Sequence, residues 1–269
     1  MNTLLAALLL SVAPREDQIL FQGNVQGSQT VQPAGADSAR AEYSFNDRGR
    51  GDHITATWKL DAAGVPIEYS GSGNDYMKAA VTESFSLSDG KAKWHNRLEQ
   101  GEKAVKGESF YVPANAPPEF TAVLARALLK APDHTLPLLP AGEAHITEAG
   151  TSGDLTLYHI TGLDFSPTSV WLDHDGNLGA DISGWFAVIP AARANSLQKL
   201  TADQTRADSA WFVNDTLTIR NKVFKDFKVG IKLKTRVYLK LENVAFENVR
   251  YPLYFDFKKD SLHKSILKF

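Results

Sequence analysis

From Tyr43 to Trp94 the chain repeats one pattern four times: a run of alternating apolar and polar residues closed by a turn. The runs cover residues 43–45, 54–60, 65–69 and 81–87. In the second, Ile54, Ala56, Trp58 and Leu60 take every other position, while Thr55, Thr57 and Lys59 fill the gaps. A period of two sends successive side chains to opposite faces, which is what a strand with one buried face requires. Between the runs, Gly49-Arg50-Gly51-Asp52, Asp61-Ala62-Ala63-Gly64 and Gly71-Ser72-Gly73-Asn74-Asp75 place glycine or Asx where the backbone must reverse. The stretch predicts a meander of antiparallel strands.

The pattern extends in both directions. Residues 18–22 and 28–32 flank Gly23-Asn24-Val25-Gln26-Gly27 as a first hairpin. Ser88-Asp89-Gly90-Lys91 joins 81–87 to 92–97, with Phe85 and Trp94 placed for cross-strand packing. The period then changes. After Pro117-Pro118-Glu119, the residues Phe120, Val123, Leu124, Ala127, Leu128 and Ala131 recur at helical spacing, and Pro132 stops the run. This predicts one amphipathic helix over 120–130 with its apolar stripe on a sheet face. Strands return at 143–148, 155–161, 168–172 and 178–182, and 191–212 reads as a polar helix touching the body through Leu197, Leu200, Ala207 and Trp211. The expected fold class is mainly β: a curved antiparallel sheet or β-sandwich with one or two covering helices.

Charge divides the chain. Residues 217–269 hold 13 Lys and Arg against 5 Asp and Glu, leaving 16 against 26 for residues 1–216, although the net charge is only −2. Shifted by 22 residues, the basic part lies on itself: Leu217 falls on Leu239, Ile219 on Leu241, Asn221 on Asn243 and Phe224 on Phe246. Phe227 then falls on Val249, Ile231 on Leu253 and Leu233 on Phe255. A fixed offset of this kind marks stacked repeats. Lys232, Lys234 and Lys240 alternate with the inward positions, so the charge reads as a solvated outer face. A nucleic-acid footprint would want a groove and stacking aromatics, and none is expected. The phrases Leu217-Thr218-Ile219-Arg220-Asn221 and Leu239-Lys240-Leu241-Glu242-Asn243 resemble rungs of a right-handed parallel β-helix of the pectate-lyase-like class. That resemblance implies a short β-helix-like C-terminal segment of two rungs, fewer than the roughly three repeats that close a solenoid core.

The absence of cysteine excludes disulfides, thiolate nucleophiles and Cys-ligated zinc. Residues 4–12 are almost wholly apolar, about the length of a signal-peptide core and too short to span a bilayer. The expected divisions are a signal peptide over 1–16, an antiparallel β domain over 17–190, a connecting helix over 191–216 and the basic tail over 217–269. Export to the periplasm or beyond the cell follows from the first of these, and no membrane span is expected.

Several phrases carry a second resemblance: Tyr43-Ser44-Phe45-Asn46-Asp47-Arg48-Gly49-Arg50-Gly51, Gly73-Asn74-Asp75-Tyr76, Leu124-Ala125-Arg126-Ala127-Leu128-Leu129, Leu138-Leu139-Pro140, Ile160-Thr161-Gly162-Leu163 and Val170-Trp171-Leu172-Asp173. Together they resemble the N-terminal β-rich region, over about residues 1–212, of exported bacterial amidohydrolases of the imidazolonepropionase-like kind. The resemblance implies a non-catalytic accessory domain whose partner, a metal-dependent amidohydrolase barrel, is absent. In that family the barrel grips metal through an H-x-H strand motif. No two of the seven histidines here are separated by one residue, so no catalytic residue, metal ligand or cofactor is carried over.

The remaining chemistry-bearing residues are sparse. Asp173-His174-Asp175-Gly176-Asn177 has the oxygens of a calcium loop, but Gly184 stands where the bidentate Glu would be, so a hairpin turn is the better reading. No spacing pairs Glu83, Glu99 and Glu102 as acid and base. Trp58, Tyr69, Tyr76, Trp94, Trp171 and Trp185 are either sheet core or the lining of a groove for a sugar or apolar ligand. Asn74, Asp75 and Tyr76 are the candidate exposed loop contacts. Besides an accessory domain, the sequence therefore leaves a small-molecule- or glycan-binding β module and a fragment of a polysaccharide-active protein.

Overall fold

The structure, a computed structural model, describes residues 13–164, 166–214, 216–226, 228–233 and 238–255. The apolar start read as a signal-peptide core, residues 4–12, lies outside them. Eight strands open the chain as successive hairpins: β1 (Arg15–Phe21), β2 (Asn24–Pro33), β3 (Ser38–Phe45), β4 (His53–Leu60), β5 (Pro66–Asn74), β6 (Ala80–Ser88), β7 (Lys91–His95) and β8 (Gln100–Ala104). The first turn is tighter than expected. Gln22 and Gly23 have φ of 50° and 82°, the positive pair of a two-residue hairpin. Gly27 belongs to β2, opposite Phe45. Likewise β5 runs through Gly71-Ser72-Gly73-Asn74, which was expected to reverse. A Cβ on Gly73 would stand 1.8 Å from the His53 carbonyl oxygen, so glycine is there for close strand approach.

The chain continues through β9 (Phe110–Tyr111), α1 (Glu119–Lys130), β10 (Thr135–Leu139), β11 (Glu143–Ser152), β12 (Leu155–Thr161), β13 (Thr168–Leu172), β14 (Leu178–Ser183), β15 (Phe186–Pro190) and α2 (Leu197–Asn214). All 15 strands form one sheet in the order β8-β7-β6-β5-β4-β3-β2-β1-β15-β14-β13-β12-β11-β10-β9. Neighbours are antiparallel except β9 and β10. The pairing of β1 with β15, Asp17 opposite Pro190 to Phe21 opposite Phe186, joins two meanders into one surface.

That surface is curled. One core cluster draws residues from β1, β3 to β7, β9 to β15 and α1. Strands about 4.8 Å apart could not share one cluster across a flat sheet of this width. The edge strand β9 also folds back across the interior: Tyr111 stacks on Phe85 of β6 at 4.3 Å and 5°. Helix α1 fills the curl. Phe120, Ala122, Val123, Leu124, Ala125, Ala127 and Leu128 are all buried, a pattern that goes nearly all round the helix. The helix covers a sheet face as expected, the inner face of the curl, and it is buried nearly all round rather than along one stripe. Phe120 meets Trp58, Tyr69 and Phe110 at 5.5, 5.2 and 5.5 Å, and burying such a ring stabilises by about 1.5–3 kcal/mol.

Charge fixes the start of that helix. Glu119 accepts from Arg15 at 2.5 Å and from Arg126 at 3.1 Å. Asp17 accepts from Arg15 Nε and Nη2, each at 2.9 Å, and from the Gln29 amide at 2.7 Å, and Gln29 accepts the Glu119 backbone N–H at 3.0 Å. Asp17, Gln29 and Glu119 are buried, yet each has its partner, as buried polar groups must.

Outside the curl, Leu20, Leu155, Leu157, Trp171, Ala180, Ile182, Ala187 and Ile189 form a second cluster under α2, with Leu200 buried in it and Leu197 and Ala207 packed alongside. Trp171 Nε1 donates to Gln204 Oε1 at 3.0 Å and Gln204 Nε2 to the Ile182 carbonyl at 2.8 Å, pinning the helix to the sheet. No helix among the described residues is long and apolar enough to cross a membrane. Beyond α2, β16 (Thr216–Lys225), β17 (Val229–Leu233), β18 (Tyr238–Glu247) and β19 (Tyr251–Phe255) form two parallel ladders, β16 with β18 and β17 with β19. Leu217 pairs with Leu239 and Ile231 with Leu253, an offset of 22 residues. Asn221 and Asn243 turn equivalent corners at φ of 53° and 51°, a left-handed conformation that Asn tolerates better than most residues.

Candidate functional site

At one end of the curl the β1–β2 turn, the β3–β4 and β5–β6 loops and the β14–β15 turn converge on a cleft of about 590 Å³. Its walls are Phe21, Gln22, Asn24, Gln26, Asp47, Arg48, Tyr76 and Trp185. The volume is that of an ordinary small-ligand site. Phe21 is the hub of its aromatic floor, 4.8 Å from Phe45, 4.8 Å from Trp185 and 5.2 Å edge-on from Phe186. Gln22 N–H donates to the Trp185 carbonyl at 2.8 Å, tying the two turns together. Trp185 nevertheless remains 57% exposed.

The polar wall is equally ordered. Tyr76 OH donates to Asp47 Oδ2 at 2.7 Å and Arg48 Nε to Asp47 Oδ1 at 3.0 Å. The Tyr76 hydrogen bond first, then that from Arg48, holds the Asp47 carboxyl below its usual range. The Arg50 guanidinium lies 6.0 Å over the Tyr76 ring. At the end of the β3–β4 loop, burial raises the carboxyl of Asp52, a shift that the hydrogen bond from Tyr43 OH at 3.4 Å opposes.

Of the three loop residues singled out by sequence, Tyr76 lines this cleft. Asn74 and Asp75 hold the loop that presents it. Asn74 Nδ2 donates to the carbonyls of Gly51 and Asp75 at 3.1 and 3.0 Å. Asp75 accepts from Met77 N–H and Ala79 N–H at 3.0 and 2.9 Å and from Arg97 at 2.7 Å. Of the six aromatics, Trp58, Tyr69 and Trp171 are buried and Trp94 lies across Gly101. Phe21, Gln22, Asn24, Gln26, Asp47 and Arg48 were not foreseen. The signal for the site was Gly184-Trp185-Phe186, an aromatic at the tip of a tight turn, where a strand has no core to offer it.

A second cavity, of about 380 Å³, opens under α2 because β13 and β14 pair only at Trp171–Ala180 and Leu172–Leu178. His159 Nε2 and Ser169 Oγ both reach Asp208 Oδ1, at 2.8 and 3.0 Å. A serine nucleophile needs the imidazole between the hydroxyl and the carboxylate. Here the carboxylate is central, so the trio ties α2 to the sheet. Asp181 borders the same opening, and burial pushes its carboxyl up to about 6 against a hydrogen bond from Thr121.

The other sequence candidates are structural. Asp173, His174 and Asp175 offer ligand atoms within 4.8 Å of one another. However, the Asp173 carboxylate accepts from Asp175 N–H, Asn177 N–H and Asn177 Nδ2 at 3.0, 2.8 and 3.1 Å, which is the chemistry of a turn. Glu83 is buried and accepts from Tyr111 OH, Ala114 N–H and Asn115 N–H. Glu102 pairs with Lys91 on the surface.

No family model and no curated protein matches the chain. Among solved structures it is similar to a DUF1089 family protein from Pseudomonas aeruginosa, at 17% identity over 69% of this chain and 98% of that one, with a TM-score of 0.36. It is also similar to a beta-barrel-like protein of the domain of unknown function DUF1849 from Brucella abortus, at 12% identity over 66% and 94%, with a TM-score of 0.39. Neither is an amidohydrolase region or a pectate-lyase-like coil, and both resemblances drawn from the sequence are corrected accordingly. The phrases behind the first, such as Tyr43 to Gly51 and Leu124 to Leu129, form a strand with its turn and the packed face of α1. Alternation and turn chemistry of that kind serve any curled antiparallel sheet and single out no family. The phrases behind the second form two ladders of two strands each among the described residues.

Proposed function

We propose that this chain is a ligand-binding β module, that the cleft between Tyr76 and Trp185 is its site, and that its ligand is a hydroxyl-rich molecule with one apolar face, of the glycan class. The observation that carries this reading is Trp185, held against Phe21 at 4.8 Å yet 57% exposed. An indole fixed in place and open to solvent is preorganised to receive a flat apolar face at small entropic cost. A sugar ring has such a face, and its hydroxyls need both donors and acceptors around the edge. The amides of Gln22, Asn24 and Gln26 supply both, Asp47 accepts and Arg48 donates. Glycoside cleavage uses a pair of carboxyl groups across the scissile bond, whereas Asp47 is the one carboxylate among the described lining residues, so the reading is binding. Export, expected from the apolar start, would bring the site to glycans outside the cytoplasm.

Titration with a panel of short neutral oligosaccharides, followed by intrinsic tryptophan fluorescence, tests this. Trp185→Ala is expected to weaken binding about 30-fold, the effect of losing roughly 2 kcal/mol at an aromatic anchor. Tyr76→Phe, which releases Asp47, is expected to weaken it less. A panel that leaves the emission unchanged, or a Trp185→Ala chain that binds as tightly as the parent, contradicts the reading.

A further inference from the structure

Among the described residues the large apolar side chains left exposed are Val25, Met77, Leu98, Trp185, Val223 and Tyr251. The first four stand at one end of the curl. Alternate turns of an antiparallel meander share an end, so the β1–β2, β3–β4, β5–β6 and β7–β8 turns lie together. Phe21 opposite Phe186 brings the β14–β15 turn beside them. Hydrogen bonds link these turns into one rim: Asn46 N–H donates to the Gln26 carbonyl at 2.9 Å, Gly51 N–H to the Tyr76 carbonyl at 3.2 Å and Arg97 to Asp75 at 2.7 Å. Met77 and Leu98, at 68% and 78%, are the most exposed, and each is held there. Asp75 Oδ1 accepts Met77 N–H at 3.0 Å, and Oδ1 of the buried Asn96 accepts Leu98 N–H and Glu99 N–H at 2.8 and 2.9 Å. A turn tip needs no large apolar side chain for its own geometry.

Charge on the same turns is sorted by depth. Arg48, Arg50, Lys78 and Arg97 are exposed. Asp47 and Asp75 lie beneath the arginines they pair with, and in the first pair the Asp47 side chain is 16% exposed against 91% for Arg48. Asp52 is half-buried, and Glu99 is the exposed carboxylate. The outermost layer is therefore mainly apolar and cationic. We infer that this rim is a docking surface for a lipid bilayer with anionic headgroups. Met77 and Leu98 enter the acyl boundary, Trp185 sits at headgroup level and the four cations meet phosphate. A protein partner fits less well, because its interface needs a continuous apolar core, and these tips stand on separate turns with polar residues between them. A fluid surface takes each tip separately. The chain lies on the bilayer and does not span it. Met77 and Leu98 are outside the walls of the cleft, so docking and ligand binding can be tested apart.

Co-sedimentation of the full chain with lipid vesicles tests this. At low salt, vesicles of equal phosphatidylglycerol and phosphatidylcholine are expected to bind about tenfold more tightly than phosphatidylcholine alone, a difference that shrinks as salt rises. Met77→Ser/Leu98→Ser is expected to weaken binding to the mixed vesicles about 100-fold, about tenfold for each side chain kept in water. Both residues are exposed, so the urea midpoint of the double variant should match that of the parent. Val223→Ser, at an exposed valine on the ladders beyond α2, should bind as the parent does. No binding to either vesicle, equal binding to both compositions, a double variant that binds as tightly as the parent, or an equal loss in Val223→Ser would overturn the proposal. So would a sedimentation mass above 29.5 kDa without vesicles that the double variant abolishes, because the rim would then be a contact between proteins.

Discussion

Glu119→Ala lowers the stability of the chain by about 3 kcal/mol, at the lower end of what breaking a buried ion pair removes. Glu119 is 3% exposed and receives both Arg15 and Arg126. Burial alone would depress the Arg15 charge, but Glu119 and then Asp17 more than offset it and raise its proton affinity. With Glu119 gone, Arg15 keeps Asp17, which is why the loss stays at the lower end, while Arg126 keeps only the Gly176 carbonyl at 2.8 Å. The damage falls on the first turn of α1, the element around which the sheet closes. Urea unfolding monitored by circular dichroism reads the loss directly as a shift in midpoint. Glu119→Gln, which keeps the shape and one acceptor, should cost less. A midpoint within error of the parent for the alanine variant would show that water, not the two arginines, satisfies this carboxylate.

The second large effect is a gain. Asp181→Asn stabilises the chain by about 2 kcal/mol at pH 7.5 and by nothing measurable near pH 3. Burial raises the Asp181 carboxyl to about 6 in the folded chain against a reference value of 3.8. Below the reference value both folded and unfolded chains hold the proton, and the group contributes no difference. As pH rises from there through about 6, the folded chain holds the proton that the unfolded chain has given up, so stability falls until both are ionised. The amide has no charge to bury and escapes the whole penalty. The full two-unit shift would be worth about 3 kcal/mol, and the partial exposure of the side chain reduces it. Urea midpoints at the two pH values check this, and an equal effect at both would contradict it.

How legible the fold was depends on which strands bury a face. Ile54, Ala56, Trp58 and Leu60 announce β4 because one face of it is core, and the same holds for β6 and β12. Strand β8 was missed because Gln100 to Ala104 lie at the sheet edge, where nothing selects for alternation. Strand β9 is two residues long and its parallel pairing to β10 depends on the whole curl, so no local pattern encodes it. The helical period of 120–130 was visible. That α1 lies inside the sheet could have been suspected from Ala122 and Ala125, which widen the apolar stripe nearly to a full circle. The cleft was the least legible part. Asp47 and Tyr76 meet across two loops, and Trp185 shares their cleft only because β1 pairs with β15, strands about 170 residues apart in sequence that meet in the middle of the sheet.

Fluorine NMR of the chain labelled with 5-fluorotryptophan tests the central claim most directly, because the five indoles report five separate environments. On addition of a saccharide that binds, the account predicts that the Trp185 resonance moves while those of Trp58, Trp94 and Trp171 stay in place. Movement of Trp171 and Trp211 with Trp185 unaffected would put the ligand under α2 instead and contradict it.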